Sequence, residues 1–241
     1  MSLNGKTILI TGAAKRIGRA LALAVSQAGA QVVVHYGKSQ KEAESLQAEI
    51  ETAGGKAFTL QADLADPLQV SGLISRARQF APLFALVNNA SVFEPLGWED
   101  TSLEQWNRAM QVNLTAPFLL SQAFARSLEP QGFGRIVNLL DWRALRPGPD
   151  HLPYSISNSA LAALTHSLAV ALGPRITVNA LALGAVLPPS SGEVPKIGLK
   201  QIPAGRWASL EEVRRAQIFL LDGPENITGE IMYIDGGRHL V

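Results

Sequence analysis

Short, wholly apolar runs alternate along this chain with stretches whose apolar positions recur every three or four residues. "KTILIT" (6–11) predicts a buried strand, and "RIGRALALAVSQAG" after it has helical spacing with a stop at Gly29. "QVVVHY" (31–36) predicts a second strand, "SQKEAESLQAEIETAGG" a polar, capped helix, and "KAFTLQAD" a third strand. "PLQVSGLISRARQF" predicts a helix and "FALVNNA" a fourth strand. Two helical stretches, about 102–112 and 115–128, precede a fifth strand, "GRIVNLL". A long helix from Tyr154 to Leu172 is closed by Gly173 and Pro174. "RITVNAL" then predicts a sixth strand, "SLEEVRRAQIFLLD" a late helix and "EIMYIDGG" a final strand.

Strands that are apolar on both faces and alternate with helices imply a parallel sheet covered on both sides, an α/β architecture. No composition break, linker or repeat interrupts residues 1–241, so one domain is expected. The least regular stretch is 184–204, "GAVLPPSSGEVPKIGLKQIPA". A loop of that length in a compact domain reads as a lid or binding segment around the substrate, with a passive connection as the alternative. "SISNSALAALTHSLAVAL", within the long helix, carries no charge and is small or apolar on every side. The sheet covers one face of such a helix. The other face predicts a homo-oligomer, dimer or tetramer; cover by another part of the same chain is the alternative.

Composition narrows the function. Apolar residues make up 47% and charged residues 17% of 241, which suits a compact core. A net charge of +1 gives no broad field for nucleic acid or a membrane surface, and the expected partner is a small molecule. There is no run of 18 consecutive apolar residues, so no membrane span is expected. Cysteine is absent, which excludes disulfides and thiol chemistry and fits a cytoplasmic location. His35, His151, His166 and His239 lack metal-site spacing, so no metal is expected.

"TGAAKRIG" (11–18) joins the first strand to the first helix. A turn in that context aims backbone N–H groups and a helix N-terminus at a phosphate. Arg16 stands at the middle position, between Lys15 and Arg19, and adds charge-assisted donors for a pyrophosphate or an anionic or heterocyclic substrate. For Lys15 and Arg19 a purely solvated role is the alternative. The second strand ends "VVHYGKS", without the acid that would hold a ribose 2′-hydroxyl; His35, Lys38 and Ser39 could hold a 2′-phosphate instead. The expected cofactor is therefore NADP(H).

"TGAAKRIG", "QADLAD", "LVNNAS", "NLTAPF", "GRIVNLLD", Tyr154, "ITVNAL" and "ITGEIMYIDGG", in this order, resemble the short-chain dehydrogenase/reductase family over essentially the whole chain. The resemblance implies a Rossmann-like, doubly wound sheet of about seven strands with helices on both faces, and a nicotinamide cofactor. Within the family the chain resembles the pteridine reductases. Arg16 sits where most members have glycine, Asp141 lies 13 residues before Tyr154 where most have serine, and "NNASVF" places Phe93 where a pterin ring would stack on the nicotinamide.

Carried over by position, Gly12, Ala13, Arg16, Ile17 and Gly18 would hold the pyrophosphate, and His35, Lys38 and Ser39 the adenosine phosphate. Asp63 and Leu64 would meet the adenine, with Asn88, Asn89 and Ala90 bordering the ribose. Gly184 and Val186 would lie near the carboxamide, although Leu183 stands where a proline is usual. Arg16, Ser91, Phe93, Asp141 and Tyr154 would face the substrate. Asn113 would support a water chain, and Asp141 and Tyr154 would handle the proton. Trp142 either lines the pocket or packs; His151 is expected at the rim or in solvent.

One position departs from the family. A lysine four residues after the tyrosine would stabilise a tyrosinate and hold the nicotinamide ribose; here Asn158 takes its place. Its amide can still meet a ribose hydroxyl but carries no charge, and Arg16 or Arg143 could supply one. The expected activity is reduction of a pterin-like (dihydropteridine or folate) or related C=N or C=O substrate. A general carbonyl or 3-ketoacyl reductase, and an NADP-binding protein impaired by Asn158, are the alternatives.

Overall fold

The computed structural model describes residues 3–188 and 201–241. Seven strands form one sheet: β1 (Thr7–Ile10), β2 (Gln31–Tyr36), β3 (Lys56–Gln61), β4 (Ala85–Asn88), β5 (Gly134–Asp141), β6 (Ile176–Leu183) and β7 (Ile231–Ile234). Their order is β3-β2-β1-β4-β5-β6-β7, and every pairing is parallel. The helices are α1 (Arg16–Gln27), α2 (Gln40–Thr52), α3 (Pro67–Arg78), α4 (Leu103–Met110), α5 (Ala116–Ser127), α6 (Leu152–Leu172) and α7 (Leu210–Asp222).

Side-chain alternation along each strand divides the core between the two faces. Ile8 and Ile10 of β1, with Val32 and Val34 of β2, pack against Leu21, Val25, Leu46, Ile50 and Leu220 of α1, α2 and α7. Leu9 and Val33, with Leu86, Ile136 and Val178, point the other way onto Val70, Leu73, Leu120 and Phe124 of α3 and α5. Both faces are buried, as the continuous apolar strands predict, and the doubly wound single sheet matches the expected fold. β1 lies between β2 and β4, so the chain reverses direction across the sheet there. The crevice outside the carboxyl ends of β1 and β4 is where such sheets bind ligands.

Two boundaries differ from the sequence pattern. The stretches expected at 102–112 and 115–128 form one rod, in which a π-helical turn, Gln111–Thr115, joins α4 to α5. A π-turn bonds residue i to i+5 and so shifts the apolar spacing, which makes one continuous rod read as two stretches in the sequence. α6 begins at Leu152 rather than Tyr154, because Pro153 is well placed in a first helical turn. α6 is long and apolar enough to cross a membrane by length and composition; here it carries Tyr154 and buries Leu161, Ala162, Thr165 and Ala169. Ala163, His166, Ser167, Val170 and Ala171 form its exposed side. Of the expected lid, 189–200 lie outside the described residues. Its ends are anchored: Gly184 N–H donates to Ile234 and Ala204 N–H to Gly236.

Candidate active site

The phosphate loop is fixed from below by polar side chains. Thr11 Oγ1 accepts from the N–H groups of Asn89 (2.9 Å) and Ala90 (3.0 Å). Asn89 Nδ2 donates to the carbonyls of Thr11 (2.8 Å) and Gly12 (3.1 Å). Asn89 and Ala90 thus support the loop that would bind the cofactor. Gly12 has φ +62°, and a Cβ there would lie 3.0 Å from Ala90 Cα; one on Gly18 would lie 2.2 Å from the Gly12 carbonyl oxygen. Glycine at both positions lets the loop close on the N-terminus of α1. This leaves a bare backbone cradle, which fits a pyrophosphate.

His35 corrects one expectation. It is buried, not exposed to a 2′-phosphate. Its Nδ1 accepts from Gly12 N–H (3.1 Å) and its Nε2–H donates to the Ala62 carbonyl (3.1 Å). Burial pushes its pKa down to about 4. A neutral ring with both nitrogens engaged is a strut joining the loop to β2 and β3. Lys38 is exposed at the end of β2, and Ser39 caps α2 without a side-chain cap bond. These two remain for an adenosine phosphate. Asp63 is exposed and accepts from Ala65 N–H (2.9 Å), while Leu64 is buried beside it.

Arg16 adopts φ +53°, the left-handed region, at the position where the family has glycine. For a residue with a Cβ this costs about 1–2 kcal/mol. Its guanidinium donates to the Pro188 carbonyl (2.7 Å), linking the phosphate loop to the segment after β6. Lys15 pairs with Glu42 (2.6 Å), and Arg19 with Glu49 and the Glu42 carbonyl, so both are tied to α2 rather than simply solvated.

The chemical groups gather where β5 ends and α6 begins. The Tyr154 hydroxyl donates to Asp141 Oδ2 at 3.4 Å. Burial pushes the Tyr154 pKa well above 10, and the Asp141 charge adds to this. Burial also raises the Asp141 pKa, against the opposing Arg143 N–H and guanidinium. Phe93 meets Tyr154 edge to face (4.7 Å), and its ring stacks on His151 (4.2 Å, 14°). Phe93 is half exposed, with His151 stacked on its ring and Tyr154 set at right angles to it. Ser91 is exposed at the start of this wall.

Asn158 and Asn113 depart from their expected roles. Asn158 is buried; its Oδ1 accepts from Asp141 N–H (2.9 Å) and its Nδ2 donates to the Tyr154 carbonyl (3.0 Å). The amide is short and matches a peptide's donor and acceptor, so it joins β5 to α6 and does not extend toward a ribose. Asn113, in the π-turn, accepts from the Ser91 hydroxyl (3.1 Å) and Val92 N–H (2.8 Å). Its Nδ2 donates to the Val92 carbonyl (3.1 Å) and Ser157 Oγ (3.0 Å). Its amide is fully committed to protein partners and clasps the Phe93 segment to α6, which corrects the water-chain expectation for this side chain. Gly184 and Val186 are half-buried at the end of β6.

Sequence reasoning placed His151 at the rim but missed its contacts, and it missed Asp150 and Arg238. His151, expected at the rim, stacks on Phe93, and its Nδ1 lies 3.0 Å from Asp150 Oδ2. Asp150 also meets Arg143 (3.3 Å). Arg238, on the turn Arg238–Leu240, lies over the Trp142 ring at 4.2 Å, so Trp142 is a platform at the site's edge. The signal available was positional: Asp150 and His151 immediately precede α6, and Arg238 follows "DGG".

Known proteins resemble this chain over nearly its whole length. A family model described as enoyl-(acyl carrier protein) reductase matches residues 12–239. A 3-oxoacyl-[acyl-carrier-protein] reductase of Synechocystis sp. is 33% identical, over 98% of each chain. A short-chain type dehydrogenase/reductase of Picea abies is also 33% identical, over 98% of this chain and 93% of its own. Among solved structures, the FolM alternative dihydrofolate reductase 1 of Brucella canis, complexed with NADP, superposes with a TM-score of 0.92. It has 33% identity and covers 100% of this chain and 97% of its own. With a family model spanning nearly the whole chain and relatives at this identity, the chain belongs to the short-chain dehydrogenase/reductase family of NAD(P)-dependent oxidoreductases.

Proposed function

We propose that the protein is an NADP(H)-dependent reductase of pterin-like heterocycles, dihydropteridines or folates. The observation that carries this reading is the Tyr154–Asp141 contact (3.4 Å), with the Phe93 ring at right angles to the phenol 4.7 Å away. When bound, the cofactor supplies the hydride. Tyr154 and Asp141 supply the proton to the ring nitrogen that becomes negative. A raised pKa keeps Asp141 protonated to higher pH than an exposed aspartate, which suits a donor. Phe93 offers a flat apolar surface for a planar ring. Lys38 and Ser39 would hold the 2′-phosphate, and the bare loop between Gly12 and Gly18 the pyrophosphate, with Arg16 beside it. The likeness to the FolM alternative dihydrofolate reductase 1 of Brucella canis, complexed with NADP, supports the same substrate class.

A second reading, a 3-ketoacyl reductase, is favoured by the relative of that name at 33% identity. A third, a cofactor-binding protein with little turnover, is favoured by Asn158. NADPH oxidation with dihydrobiopterin, dihydrofolate and a set of ketoacyl thioesters separates them. The pterin reading expects the highest kcat/KM on pterins, and loss of at least about 100-fold in Tyr154→Phe with NADPH binding retained. Higher rates on ketoacyl substrates, or uniformly negligible rates, would overturn it. The exposed side of α6, formed by Ala163, His166, Ser167, Val170 and Ala171, is proposed as a contact with a second copy of the chain, in a cytoplasmic dimer or tetramer; sedimentation equilibrium tests the assembly.

A further inference from the structure

Asp141 and Tyr154 are a partly buried acid–phenol pair, 3.4 Å apart, and desolvation favours the neutral form of both. When Tyr154 gives its proton to a substrate nitrogen, it takes one from Asp141, and the negative charge then rests on the carboxylate. Solvent later returns the proton. A charge left in such surroundings needs a cation close by. The family's lysine would provide it, but Asn158 cannot.

The other cations of the loop are committed elsewhere. Lys15 and Arg19 pair with Glu42 and Glu49 on α2, and the Arg16 guanidinium is turned to Pro188. Four charged or titratable groups surround the pair: Arg143 on the 3-10 turn Trp142–Leu145, Asp150 and His151 ahead of α6, and Arg238 on the C-terminal turn. Arg143 alone among them touches Asp141. Its Nη1 lies 3.6 Å from Asp141 Oδ1, and its backbone N–H donates to that same oxygen at 2.8 Å. The side chain is only 18% exposed. Asp150 holds Nη2 at 3.3 Å, and the Trp142 ring lies 5.1 Å from the guanidinium carbon. The guanidinium is therefore fixed from two sides as well as by the carboxylate.

We propose that Arg143 is a positioning residue that, through Asp141, supplies the Tyr154 site with the positive charge that Asn158 does not carry. The proposal rests on the reading of Asp141 and Tyr154 as the proton-handling pair. It relocates the charge from helix α6 to the turn that follows β5, where Arg143 meets Asp141 Oδ1 while the phenol meets Oδ2. The amide at position 158 is then free to brace β5 against α6.

The test uses the whole protein with carbon-13 in its aspartate carboxyl groups. The Asp141 resonance is assigned by its loss in Asp141→Asn and titrated by NMR. In Arg143→Met its midpoint is expected to rise by about one unit or more, and in Arg143→Lys to stay nearer wild type. In parallel, the kcat of NADPH oxidation is expected to fall at least about 10-fold in Arg143→Met with KM little changed, and to recover partly in Arg143→Lys. Should Arg143→Met not fold, Arg143→Gln carries the same expectations. An unmoved Asp141 midpoint, or a lysine variant no better than methionine, overturns the proposal. The NMR titration needs no substrate, so it decides the charge even if the wild-type protein reduces no pterin and the functional reading fails.

Discussion

Asn158 Oδ1 accepts a hydrogen bond from the backbone N–H of Asp141 at 2.9 Å, so the last residue of β5 is tied to the second turn of α6. The same amide donates to the Tyr154 carbonyl (3.0 Å). Asn158→Ala removes both bonds and leaves a buried N–H without a partner, at a cost of about 1–3 kcal/mol. For a domain of this size, each kcal/mol lowers the Tm by about 2–4 °C. Thermal unfolding is expected to show that loss. Calorimetric titration is expected to show an NADPH Kd within about threefold of wild type, because the amide serves the protein, not the ribose. A large loss of NADPH affinity at unchanged Tm would reverse this assignment.

His35 predicts a pH dependence of stability. Its folded pKa is lowered from 6.5 to about 4 by burial. The folded state therefore holds the ring neutral while the unfolded chain takes up a proton below 6.5. The stabilisation is complete above pH 6.5, falls as pH drops through 6.5 toward 4, and amounts to roughly 3 kcal/mol over that span. Urea unfolding measured at pH 7.5 and at pH 4.5 is expected to show this decline in wild type. In His35→Asn the decline should be smaller by most of that amount, against a lower stability at neutral pH. A parallel pH dependence in both proteins would mean that the ring is not the titrating group.

Much of this was legible in the chain. The apolar runs locate all seven strands, because a strand buried on both faces needs no polar alternation, and Gly12 and Gly18 mark the loop by context. The site was legible as residue types and much less as contacts. His35 looks like a phosphate ligand in "HYGKS", but both faces of β2 are covered, and the Gly12 N–H and the Ala62 carbonyl, distant in sequence, engage both ring nitrogens and make it a strut. Asn158 reads as a damaged lysine position until the Asp141 N–H is seen opposite it. His151 is invisible as a partner of Phe93, since the two lie 58 positions apart in sequence and only the fold brings their rings to 4.2 Å. Such pairings depend on how loops pack at the sheet's end, which no local periodicity encodes.

Lys38 should set the cofactor preference. It is exposed at the end of β2, and among the described residues no acid or carbonyl holds its ammonium. A 2′-phosphate there would gain a charge-assisted contact worth about 1.5–3 kcal/mol, or roughly 10- to 150-fold in affinity. Lys38→Glu replaces attraction with repulsion and supplies an acceptor for a ribose 2′-hydroxyl. The ratio of NADPH to NADH affinity, measured by calorimetry, is expected to fall by at least about tenfold, chiefly through weaker NADPH binding. An unchanged ratio would place the phosphate elsewhere.

Arg16→Gly separates backbone strain from function at the same residue. Glycine adopts φ +53° freely, so the substitution relieves about 1–2 kcal/mol of strain. It also removes the exposed hydrogen bond to the Pro188 carbonyl, worth about 0.5–1.5 kcal/mol. The two effects nearly cancel, and urea unfolding is expected to change by less than about 1 kcal/mol. Function should not be spared. Arg16 belongs to the phosphate loop, and only its Nη2 meets the Pro188 carbonyl, so its loss is expected to take the remaining charged donors from a pyrophosphate and from a substrate next to it. NADPH Kd and the pterin KM are both expected to rise several-fold while kcat changes less, since Tyr154 and Asp141 are untouched. If NADPH affinity and KM hold steady in a fully folded Arg16→Gly protein, the arginine acts only on the segment after β6, and the charge it adds at the phosphate loop has no part in binding.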